Sequence, residues 1–115
     1  MLYNPPAFRE TDLPALQAQI ATSGLTTLVS VGAQGPIVSN LPIVFDASAG
    51  PYGVIAGHLA RGNPQWRESD LSIPAIAIFM GADAYVSPGW YPSKQEHGKV
   101  VPTWNYVVAH AHGVA

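Results

Sequence analysis

The stretch Gly57-His58-Leu59-Ala60-Arg61-Gly62-Asn63-Pro64-Gln65-Trp66 carries residue types that hold an anion. Asn63 is a favoured helix N-cap, and Pro64 suits the first helical position. A helix N-terminus presents free N–H groups and the positive end of its dipole, which attract phosphate. Arg61, two residues earlier, can grip phosphate oxygens through a forked pair of hydrogen bonds. His58 falls at the end of the preceding strand, near the same point. The same residues also make an ordinary helix start, with Arg61 paired to Glu68 or Asp70 on the surface. Residue types alone leave both readings open.

Two later segments carry flat rings beside polar groups. In Asp83-Ala84-Tyr85-Val86-Ser87-Pro88-Gly89-Trp90-Tyr91-Pro92-Ser93-Lys94, the Trp-Tyr pair sits in a Pro/Gly-rich loop and is costly to expose. It must pack on the core, on a partner or on a flat ligand, and Lys94 can supply charge to a phosphate or carboxylate. In Val101-Pro102-Thr103-Trp104-Asn105-Tyr106, alternation along a strand places Trp104 and Tyr106 on one face and Thr103 and Asn105 on the other. That face can stack on a planar ligand or form a cross-strand aromatic cluster.

Two other chemistries find less support. Of the four histidines, His110 and His112 share one side of a strand, but a metal site needs a third ligand that the sequence does not identify. Ser39, His58 and Asp83 could be drawn as a triad, but no GxSxG elbow accompanies them. No residue is assigned a catalytic role.

The elements that must position these residues are short. Residues 1–11, with Pro5 and Pro6, read as an extended arm. Asp12 to Thr22 reads as a helix, capped by Asp12 and stopped at Ser23-Gly24. Strands follow at Leu25–Val31, Ile37–Phe45, Tyr52–Leu59, Leu71–Met80, Ala84–Ser87 and Val100–Ala111. Pro42 suggests a bulge or an edge in the second of them. Gly81-Ala82-Asp83 reads as a turn, and Ser93–His97 as one helical turn within a long loop. Six strands with one helix indicate a mostly β fold, a small barrel ahead of a sandwich.

Composition narrows the classes. The 115 residues, about one domain's worth, are 48% hydrophobic and only 10% charged. That is well below the roughly 25% charge of a typical soluble domain. A neutral, polar surface would account for the low charge, but the aromatics are concentrated in the second half, which favours a partner covering apolar surface. The five basic residues Arg9, Arg61, Arg67, Lys94 and Lys99, within a net charge of −2, do not build the cationic face that direct DNA binding requires. The absence of cysteine removes disulfides and thiolate chemistry. No basic segment followed by an apolar run opens the chain, and no run is long enough to span a membrane, so the expectation is a cytoplasmic protein.

Together GHLARGNPQW, DAYVSPGWYPSK, HGKVVPTWNYVVAHAHG and the opening LYNPPAFRE resemble the PaiB-like family of FMN-binding negative transcriptional regulators. The resemblance runs from the first residues to the last. It implies a split β-barrel related to pyridoxamine-phosphate-oxidase-like flavoproteins, acting as a homodimer with FMN at the interface. It also implies a family that continues well beyond Ala115, so that residues 1–115 form a single FMN-binding domain from the N-terminal part. Carried over by position, His58, Arg61 and Asn63 lie near the FMN phosphate, with Lys94 assisting. Thr103 and Trp104 approach the ring system from the second subunit, and Ser39 and Asn40 line the site from the strand leading into it. Gly62 departs from the family, where alanine is commoner, and loosens the segment before the phosphate. The implied roles are FMN-dependent regulation or, alternatively, an FMN-dependent oxidoreductase of a small molecule.

Overall fold

The computed structural model describes residues 2–115. A 3-10 turn at Pro6–Phe8 is followed by helix α1 (Leu13–Thr22). Asp12 caps α1 as expected: its carboxylate accepts from Ala15 N at 3.1 Å. Strands β1 (Leu25–Gly32), β2 (Gly35–Asp46) and β3 (Val54–Gly57) come next. Helix α2 (Gln65–Glu68) is one turn long. Strand β4 (Ala75–Val86), a 3-10 turn at Pro88–Trp90, helix α3 (Pro92–His97) and strand β5 (Thr103–Gly113) complete the chain. The five strands form one antiparallel sheet in the order β3-β2-β1-β4-β5. The mostly β expectation holds, and the architecture is compatible with a split barrel.

The strand count is five where the sequence indicates six. Gly81-Ala82-Asp83 does not turn the chain back. It forms a shift of register between Met80 and Asp83, after which β4 resumes pairing with β5 through Val86↔Thr103. An irregularity of this kind bends a strand without ending it. A Cβ at Gly81 would lie 3.0 Å from Val107 Cβ and displace the Gln19 amide, so the site is tight for a side chain. Nor does Leu71 begin a strand. The Asp70 carboxylate accepts from Ser72 N and Oγ at 2.9 and 2.6 Å, closing a turn that lowers the Asp70 pKa. Pro42 makes no bulge: it faces Leu25 at the end of the β1–β2 ladder, and pairing to β3 begins at Ile43. Proline's missing donor falls at the point where β2 changes partner.

Directly paired residues share a face. Thr26, Leu28, Ser30, Ile37, Ser39, Leu41, Ala77, Phe79, Ala109 and Ala111 therefore lie on one side. Ile20 of α1 packs there on the cluster of Ala77, Phe79 and Ala109, joined by Ile43 and Ile55. The opposite side presents Val38 and Met80, 57% and 56% exposed. The covered core is small: Leu41, Ala77, Phe79 and Ala109 are its buried hydrophobic members.

The chain alone is open in shape. Its radius of gyration is 17.8 Å, against about 13–14 Å for a compact domain of this length. Its accessible surface is 8369 Å², against roughly 6,000 Å² for a compact monomer of this mass. Part of that surface is the ribbon formed by Asp83–Val86 and Thr103–Tyr106, where Tyr85, Trp104 and Tyr106 are exposed. β1 pairs with β4 only over Ile76–Ile78, so beyond the register shift the ribbon has two strands. Such a ribbon is marginal in water without something to pack against. Among the described residues no helix is long and apolar enough to cross a membrane.

Candidate functional site

The segment after β3 folds back onto the hairpin of β1 and β2. Asn63 N donates to Ala60 O at 2.8 Å, making a tight turn with Arg61 at its apex. The Asn63 side chain works in two directions: its Nδ2 donates to Ser39 Oγ at 2.7 Å, and its Oδ1 accepts from Gln65 N at 2.9 Å. Asn63 thus bonds the start of the helix as the sequence suggests, but α2 begins at Gln65, one residue later than expected, with Pro64 at the cap position. The same bond occupies the first N–H of α2, so the attraction for an anion here rests on side chains rather than on a helix end.

Those side chains face solvent. Gly57, Leu59, Arg61 and Trp66 line a hollow of about 460 Å³. Trp66 is 54% exposed, and its indole N–H donates to the Arg61 carbonyl at 3.2 Å. The Arg67 guanidinium lies 5.3 Å from the centre of the Trp66 ring, within cation–π range. Asp70 Oδ1 is engaged with Ser72, and Arg61 is exposed beside the hollow. Gly57 lets β3 approach β2 here, since a Cβ would fall 2.6 Å from Leu41 Cδ1. Gly62 has open space around it and an ordinary φ, so an alanine would fit there without strain.

A second cluster lies on the ribbon. Tyr85 and Trp104 face each other across β4 and β5, edge to face, with ring centres 5.9 Å apart. Trp104, Tyr106, Tyr85 and Trp90 are 58%, 55%, 46% and 71% exposed. A hollow of about 270 Å³ beside them is lined by Ala82, Asp83, Ala84, Asn105, Tyr106 and Val107. On α3, Lys94 Nζ donates weakly to Gly98 O at 3.4 Å.

The candidate residues thus fall into separate groups. Ser39, His58, Arg61 and Asn63 belong to the β2–β3–α2 side, and Ser39 and Asn63 are in direct contact. Asn40 alternates to the opposite face of β2, where its Oδ1 accepts from Thr27 Oγ1 at 2.8 Å. Lys94, Thr103 and Trp104 belong to the far side: β3 and β5 are opposite edges of the sheet. Neither hollow is lined by residues of both groups. The sequence reading passed over Arg67, whose signal was its place next to Trp66 in a helical turn, and it gave no special role to Gln65. His110 sits opposite Ile78, and burial, assisted by His112, lowers its pKa. Among the described residues no cluster of three metal-ligating side chains occurs.

A mostly β domain that offers arginine beside an indole at one sheet edge and bare aromatic rings at the other is equipped for a ligand with an anionic end and a flat body. Residues 2–115 match the family described as "Putative FMN-binding domain". The chain belongs to that family and is an FMN-binding, PaiB-like protein. It is 33% identical over 114 residues to "Protease synthase and sporulation protein PAI 2" of Bacillus subtilis, covering 99% of this chain and 52% of that protein. An uncharacterized protein of Saccharomyces cerevisiae is 35% identical over 80 residues, 69% of this chain and 47% of its own length. An uncharacterized protein of Emericella nidulans is 32% identical, with 97% of this chain and 55% of that protein aligned. The chain spans about half the length of these curated relatives.

The residues present fit FMN. The hollow beside Arg61 offers an exposed guanidinium for a phosphate, and the ribbon offers uncovered rings for a planar system. When bound, FMN supplies hydride and electron transfer that protein side chains cannot.

Proposed function

We propose that two copies of this chain build the FMN site together, as a homodimer whose flavin state controls a regulatory output. In each site Arg61 and His58 of one copy hold the phosphate, with Ser39 and Asn63 shaping the turn. Thr103, Trp104 and Lys94 of the other copy flank the ring system, and Asn40 lies farther off on the outer face of β2.

The observation that carries this reading is the separation of the two groups onto opposite sheet edges, with both left exposed. The surface excess of about 2,300 Å² over a compact monomer exceeds the roughly 800 Å² per partner of a standard interface. A partner copy also gives the two-stranded ribbon something to pack on. Residues 1–115 would form one FMN-binding domain of a cytoplasmic protein, where a regulator of expression would meet its flavin. With five basic residues and a net charge of −2, this portion does not contact DNA directly. Regulation passes through other segments or partner proteins.

Purified protein should carry yellow, FMN-type absorption and elute at twice the 12.1 kDa chain mass. A colourless monomer that takes up no added FMN would refute the proposal. Bleaching by a nicotinamide cofactor with reoxidation in air would shift the reading to an oxidoreductase.

A further inference from the structure

The side chain of Gln65 is 1% exposed, an unusual place for an amide. Its Nε2 donates to Ser30 Oγ at 2.8 Å and to Ile37 O at 3.2 Å, with Leu28 O at 3.5 Å. Ser30 Oγ is 2.6 Å from Ser69 Oγ, which in turn donates to the carbonyl of Gln65 at 2.6 Å. The amide thus enters between β1 and β2 and returns through two hydroxyls to its own backbone. The neighbouring ties run the same way. Asp70 N donates to Val31 O at 2.7 Å, and Gly32 lets β1 approach so closely that a Cβ would sit 2.5 Å from Glu68 O.

This arrangement is not the cheapest way to bury a side chain. Gln65 Oε1 has no partner among the described residues, and an unpaired buried carbonyl is costly. An apolar residue of similar length would fill the site without that cost. What the amide supplies is direction: its two N–H groups reach Ser30 Oγ on β1 and Ile37 O on β2, which set the rotation and the height of α2 over the sheet. The next residue, Trp66, points outward and holds the Arg61 carbonyl. Arg61 therefore sits on a turn whose far end is set by Gln65.

We infer that Gln65 is a positioning residue for the anion-binding turn, holding Arg61 in the orientation that meets a phosphate without itself touching the ligand. The inference rests on the FMN reading above. Two ligands that differ only in the phosphate separate this role from simple support of the fold. FMN and riboflavin are titrated into wild type and Gln65→Met, which keeps the length of the side chain and removes its hydrogen bonds. The variant should bind FMN about tenfold more weakly, the scale of one charge-assisted hydrogen bond. Its riboflavin affinity should be unchanged. In an Arg61→Ala background, Gln65→Met should add no further loss. Ser30→Ala, a milder cut in the same network, should reproduce the effect in part and serves if Gln65→Met does not fold. Equal loss of both ligands, or unchanged FMN affinity in a folded variant, overturns the inference while leaving the flavin reading intact. Wild-type protein that binds neither ligand overturns both.

Discussion

Arg61→Ala is expected to weaken FMN binding by about 1.5–3 kcal/mol, the range for a lost charge-assisted hydrogen bond to phosphate. That is roughly a ten- to hundredfold rise in Kd, measurable by quenching of flavin fluorescence. Arg61 stands at the apex of the Ala60–Asn63 turn, beside a hollow it shares with Gly57, Leu59 and Trp66. No part of its side chain belongs to the core, so removing it costs binding without costing the fold. Riboflavin affinity should change little. Arg61→Lys should fall between, because an ammonium keeps the charge and loses the planar fork. Wild-type FMN affinity in Arg61→Ala would place the phosphate elsewhere.

Phe79→Ala is expected to have the largest effect on stability, about 3–5 kcal/mol, read as a drop in the denaturant midpoint. Phe79 is fully buried, and the cluster around it consists of Ala77 and Ala109 with Ile20, Ile43, Ile55 and Ala111 at its margin. Alanines cannot collapse into the space a phenyl ring leaves, so most of the cavity would persist. The loss is severe for a chain with so few buried apolar side chains. It should also loosen α1, whose Ile20 packs on this cluster. A midpoint unchanged within error would mean that α1 and the sheet are held by something other than this contact.

The sequence disclosed local features more readily than distant ones. Asp12 followed by apolar residues at helical spacing placed α1 within a residue, and β-branched runs placed β1 and most of β2. Gly81-Ala82-Asp83 misled, because turn-type residues also occur where a strand shifts register, and only pairing with Thr103–Tyr106 distinguishes the two. The apolar string from Leu71 misled for a similar reason: the Asp70–Ser72 turn is a side-chain event that hydrophobicity does not report.

At the site, the bond from Asn63 to the helix start was legible from its position before proline. Its bond to Ser39 was not, since the two are 24 positions apart. Asn40 was grouped with Ser39 by adjacency, whereas the alternation of a strand sends it to the other face. Gln65 gave no signal because a glutamine in a short helix is ordinarily solvated. Its burial follows from the close approach that Gly32 permits.

The claim on which the account turns is that Arg61 and Trp104 serve the same flavin from different copies. Mixing Arg61→Ala with Trp104→Ala protein, each weakened alone, tests it directly. With a two-fold symmetric dimer and free exchange of subunits, about a quarter of the sites recover both residues. Titration of the mixture should therefore show a fraction of sites near that size with wild-type FMN affinity. Recovery of none, with subunit exchange verified, would mean that both residues act within one chain or that Trp104 plays no part.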